Sequence, residues 1–100
     1  MTLDEWARRV DVALRRIEPS LEPHCDDAAW TRAGRSVKVV IAEDDASLRA
    51  FFAPRDDDDP AASQPGFTRE RIYMRGDADA RSAAREVAAF LLFGEIPRPT

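Results

Sequence analysis

The only histidine and the only cysteine of the chain are neighbours, in His24-Cys25-Asp26-Asp27, with two carboxylates beside them. A set of this kind could hold a metal or pair a thiol with a base. A zinc site draws four convergent ligands from two segments, and one His with one Cys does not supply them. Side chains adjacent in extended chain point apart, so Cys25 and His24 make a poor nucleophile–base dyad. The acids Asp56, Asp57, Asp58 and Asp59 are consecutive, whereas calcium loops alternate ligands with spacers and place a Gly at the turn. They read as a solvated, self-repelling loop. Arg75-Gly76-Asp77 spells an adhesion tripeptide and reads as a strand-to-helix turn whose Asp77, or else Asp79, caps the helix. No Gly-rich phosphate loop, nucleophile elbow or Ser/His/Asp set is present. No catalytic residue, metal ligand or cofactor is therefore assigned.

Residues 37–52, Val-Lys-Val-Val-Ile-Ala-Glu-Asp-Asp-Ala-Ser-Leu-Arg-Ala-Phe-Phe, are the one stretch with a family likeness. They resemble the opening of a response-regulator receiver domain, where an apolar strand delivers an acidic pair for Mg²⁺ beside a phosphoacceptor Asp. The resemblance implies that Asp44 and Asp45 would hold the metal. It stops after residue 52. Receivers need a second apolar strand ending in the phosphorylated Asp and a later strand ending in Lys, and the single lysine here is Lys38, inside the first strand. No family is recognised along the chain as a whole.

The elements that must position these residues follow from periodicity. Leu3, Trp6, Val10, Ala13, Leu14 and Ile17 recur at helical spacing, which predicts a helix over 3–17 opened by a Thr2/Glu5 capping box and stopped by Pro19. Residues 18–35 read as loop, with a turn at Gly34 and a helical turn or short strand at 28–32. The β-branched run 36–42 predicts a strand. Residues 47–53 suit a strand or a short helix, and a hairpin is preferred because Phe51 and Phe52 then serve opposite faces. Residues 54–66, Pro-, Ala- and Asp-rich, predict a flexible or binding loop. A strand over 67–75 and a helix over 79–93 close the domain. The helical stripe is Ala80, Ala84, Val87 and Leu91, with Ala83, Phe90 and Phe93 beside it, and Gly94 lies just past the end. The expected fold is one domain over 1–100: an α+β two-layer sandwich. Its antiparallel sheet would have three strands, or four if 28–32 adds one, covered on one face by the N-terminal and C-terminal helices.

Composition bounds the function. The chain has 100 residues, 44% of them apolar, and a net charge of −4. An acidic total argues against a nucleic-acid or anionic-membrane binder, since neutralising phosphates takes a surplus of Lys and Arg. Nucleic acid is disfavoured as a partner on this ground. A single Cys, no leader pattern and no long apolar run lead to the expectation of a cytoplasmic protein without a membrane partner. Fourteen arginines against one lysine, 17 alanines and no asparagine point to GC-rich codons and a bacterial source.

The third strand carries the clearest signal of a surface. If Ile72 and Met74 face the helices, then Arg69, Arg71, Tyr73 and Arg75 lie on the open face, where Lys38, Arg49 and Phe51 join them. Arginines with aromatic residues on an open sheet are typical of a protein interface. The expected function is a small acidic non-catalytic protein that binds another protein, or a second copy of itself, as immunity proteins, antitoxins, chaperones and adaptors do. The expected surface is Arg49, Phe51, Arg71, Tyr73 and Arg75 together with the loop Asp56, Asp57, Asp58 and Asp59. Two other readings are a small enzyme or enzyme subunit with a metal-assisted site at Glu43, Asp44 and Asp45, and a nucleic-acid-associated regulator.

Overall fold

The computed structural model describes residues 2–22, 24–26, 28–42, 46–54 and 69–97, with the backbone alone for 24–26. Helix α1 (Leu3–Ile17) is followed by strands β1 (His24–Asp26), β2 (Ala29–Arg32), β3 (Arg35–Ile41), β4 (Ser47–Ala53) and β5 (Arg69–Met74), then helix α2 (Asp77–Phe93). The strands lie in sequence order in one antiparallel sheet, and both helices pack on the same face of it. This is the expected α+β two-layer sandwich, with five strands rather than three or four.

Two strands lie within 18–35: β2 is the short strand allowed for at 28–32, and β1 falls in the part read as loop. β2 forms where Trp30 pairs with Val37 and both side chains enter the core. Ala33 and Gly34 link it to β3 as a two-residue hairpin turn, and both have positive φ (53° and 85°). That is the pattern of a type I′ turn, whose twist matches the flanking strands. β1 is three residues of backbone pairing along β2. Its His-Cys-Asp sequence has little strand propensity of its own, and the pairing edge supplied by β2 decides it. The alternative of a helix over 47–53 is excluded, because this segment pairs with β3 on one side and β5 on the other.

The helices begin and end for identifiable reasons. Thr2 Oγ1 accepts from the Glu5 backbone N–H at 3.2 Å, completing half of the expected capping box. α2 starts two residues earlier than expected. Its N-cap is Gly76, without a side-chain cap bond, so neither Asp77 nor Asp79 is the cap. Asp79 instead accepts the Met74 N–H at 2.6 Å, tying the helix to the end of β5. Gly94 closes α2 in the left-handed conformation (φ 74°), with its N–H on Phe90 O at 2.8 Å. Arg35 reaches across from β3 to the Leu91 carbonyl at 3.3 Å. It brings a cation to the last turn of α2, where that helix has none of its own.

The core lies between the sheet and the two helical stripes. Trp6, Val10 and Leu14 of α1 and Ala80, Ala84, Val87, Phe90 and Leu91 of α2 meet Trp30, Val37, Val39, Leu48, Ala50, Phe52 and Tyr73 of the sheet. Phe52 and Phe90 pack edge to face at 5.4 Å, the arrangement that ring quadrupoles favour. Two residues placed on the helical stripes by spacing, Ile17 and Phe93, are exposed instead, each as the last residue of its helix.

Candidate functional site: the open face of the sheet

The helices cover one face, and the strand alternation leaves the other without a helix over it among the described residues. In β4, Leu48, Ala50 and Phe52 are buried while Arg49, Phe51 and Ala53 are half-buried on the reverse side. Pairing carries this parity to the neighbouring strands. Lys38 stands opposite Phe51, and Phe51 opposite Glu70; Val40 stands opposite Arg49, and Arg49 opposite Ile72. Met74 pairs with Ser47 at the end of β5 and is 53% exposed.

The face is therefore a mixed patch rather than a polar one. Val40, Phe51, Ile72 and Met74 offer apolar surface, and Arg49 lies in the row between Val40 and Ile72. Its guanidinium sits over the Phe51 ring at 5.5 Å and donates to both Glu70 carboxylate oxygens, at 3.0 and 2.6 Å. These bonds hold the Glu70 carboxyl below the ordinary carboxylate range, with desolvation opposing them. A planar cation laid over an aromatic ring and locked by a bidentate carboxylate is pre-organised, so docking on it costs little further side-chain entropy.

The expected site divides. Arg49, Phe51 and Lys38 share the open face as anticipated. Arg71 and Tyr73 do not, which corrects the expected parity of β5. Arg71 pairs with Ala50 and Tyr73 with Leu48, and both partners belong to the core. Ile72 and Met74, expected to face the helices, are the residues that look outward. The reason is the ring of Tyr73, which is 1% exposed and packs on Trp6 with centroids 5.6 Å apart. It fills more core than Ile72 would, and its hydroxyl still finds an acceptor in Glu86 of α2.

Arg71 stacks over the same ring at 5.2 Å and donates to both Glu86 oxygens at 3.3 Å. Long side chains on an edge strand can bury their stems against the core and keep their heads at its rim. Burial first, and then the Glu86 carboxylate at its hydroxyl, push the Tyr73 phenol well above its ordinary range, against a smaller opposing pull from Arg71. The Arg71–Tyr73–Glu86 cluster is thus a clasp between β5 and α2.

Arg75 lies half-buried in the bend after β5, outside the sheet ladder. The Arg75-Gly76-Asp77 stretch is the expected strand-to-helix turn, with Asp77 paired to Arg9 of α1. Asp56 to Asp59 and Glu43 to Asp45 lie outside the described residues, and so does Asp27. Val40 and Glu70 join the patch without having been singled out from sequence, and Ile72 and Met74 join it against the expectation that they face the helices. The usable signal was the alternation of β4, which fixes the parity of β5 once the register is known.

Among the described residues no group of three or more His, Cys, Asp or Glu side chains could hold a metal, and no helix is long and apolar enough to cross a membrane. No family model, curated protein or solved structure matches the chain.

Proposed function

We propose that this protein is a non-catalytic binding module, of the immunity, antitoxin, chaperone or adaptor kind, that docks another protein on the open face of its sheet. The observation that carries this reading is the patch itself. Phe51, Ile72, Val40 and Met74 present apolar surface around a fixed Arg49, on a face that no helix covers among the described residues. Aromatic and arginine anchors in an apolar surround are the composition of interface centres. An antiparallel sheet that merely faces water carries polar residues at these positions.

The test pairs co-purification with a variant that leaves the core alone. The tagged full chain, recovered from its native host, is expected to carry a stoichiometric protein partner. Phe51→Ser with Ile72→Ser should lose that partner while the far-ultraviolet circular dichroism stays that of the parent and urea unfolding stays cooperative, with the chain fully folded in the absence of urea. A partner retained by the double variant, or a chain recovered alone, overturns the reading. Substituting Arg71 and Tyr73 would not serve, because Tyr73 belongs to the core and its loss would confound binding with folding.

A further inference from the structure

On the other side of the molecule, the two helices leave a groove of about 400 Å³ between them. Val12, Ala13 and Ala80 are its apolar lining; Val12 is 50% exposed, Ala13 half-buried and Ala80 buried in the core beneath. Four arginines line it: Arg8, Arg9 and Arg16 from α1, and Arg81 from α2. Helical spacing brings them together. Positions 9, 13 and 16 follow one stripe of α1, beside the core stripe of Trp6, Val10 and Leu14, and positions 77, 80 and 81 do the same on α2. In a chain of net charge −4 this is a concentration of the opposite sign.

Two of the four cations are already partnered. Arg8 pairs with Asp4 one turn away at 2.9 Å, and Arg9 pairs across the groove with Asp77. Arg16 and Arg81 have no carboxylate partner among the described residues. The Arg9–Asp77 pair shows how a carboxylate seats at the rim. It also places a negative charge at the first residue of α2, the position a compact phosphate would seek. From Arg9 to Arg16 the arginines span about two turns, roughly 10 Å along the helix axis. That is longer than one phosphate and suits a row of carboxylates with apolar side chains between them.

We infer that this groove binds an acidic amphipathic helix of a partner protein. Its glutamates or aspartates pair with Arg16 and Arg81, and its apolar edge lies on Val12 and Ala13. The mode is helix-in-groove recognition, in which an apolar stripe gives contact area and the rim charges give orientation. Guanidinium forks suit carboxylates because two parallel N–H donors match two oxygens. The site is independent of the open sheet face, so either can fail without the other.

The probe is a labelled synthetic helix with glutamates on one face and leucines on the other, titrated into the full chain. A lysine version of the same peptide and tripolyphosphate serve as comparison ligands. Saturable binding is expected, with the Val12, Ala13 and Ala80 amides shifting and the affinity falling as salt is added. Arg16→Glu with Arg81→Glu should weaken it about tenfold or more, as loss of a close charge pair does. Both residues are exposed, so the fold should survive, and an unchanged urea midpoint checks this. Lys38→Glu, on the open face, should leave the affinity as it was. Three results overturn the inference: no saturable shift in the groove, equal binding by the double variant, or tripolyphosphate binding there in place of the peptide.

Discussion

The two faces of the sheet are made by the same strands and obey different rules. On the covered face, shape decides: Trp30, Phe52, Leu48 and Tyr73 interlock with the helices, and even the polar Tyr73 is drawn in because its ring fills space and its hydroxyl has an acceptor. On the open face, charge and exposed apolar area lie side by side, with Arg49 clasped to Glu70 over Phe51. Adjacent residues of β5 show the difference most sharply. Tyr73 is core, while Ile72 and Met74, which a hydropathy reading sends inward, face out. An apolar residue can therefore lie in the core or on the open face, and residue type alone does not distinguish the two.

The largest expected contrast is between two neighbouring phenylalanines. Phe52→Ala should cost about 3–5 kcal/mol of unfolding free energy, because it opens a cavity against Phe90. Phe51→Ala should cost about 1 kcal/mol or less, since its site is already half open to water. Urea denaturation of both variants measures this, and equal losses would mean that the two faces are not energetically distinct.

The clasp at the rim of the covered face comes next. Glu86→Ala removes the acceptor of the Tyr73 hydroxyl and the carboxylate partner of Arg71, and should cost about 1–3 kcal/mol. Tyr73 is the only tyrosine, so its titration can be followed by phenolate absorbance. Its phenol is held protonated above the ordinary value near 10, whereas an unfolded chain ionises there. The folded state then binds the extra proton, so stability is intact below pH of about 10 and falls as pH rises beyond it. A phenol that ionises near 10 without any loss of fold would show that Tyr73 is not sealed under the helices.

The smallest effect belongs to the open face. Glu70 is held below the ordinary carboxylate range first by its hydrogen bonds from Arg49. A lowered folded value stabilises above the unfolded one and is lost as pH falls through it. Both side chains are substantially exposed, so the pair contributes little to stability. The carboxyl chemical shift of Glu70 should titrate low in the parent and return toward the ordinary range in Arg49→Gln. No difference between the two would mean that the pair does not persist in solution and that the patch is less ordered than described.

Much of the architecture could be read from local pattern. α1, α2, β3 and β5 each carry their own local signal, whereas 47–53 suited strand or helix until pairing made it β4, and the caps at Thr2 and Gly94 are chemically specific. From these the α+β class and the placing of both helices on one face followed, because two amphipathic stripes need a common sheet to bury them. The placing of Arg49 and Phe51 outward was also legible, since Leu48, Ala50 and Phe52 alternate with them in the same strand.

What only the tertiary structure decided has one physical cause, pairing between segments far apart in the chain. β1 and β2 exist because β3 presents a free edge to the chain folded back by Ala33-Gly34. The parity of β5 hangs on its register with β4, and a slip of one residue exchanges every side chain between faces. The groove between α1 and α2 likewise gathers arginines from opposite ends of the chain, and no local period could have placed Arg81 beside Arg16. Local sequence sets which elements form; contacts between distant segments set which face each side chain serves.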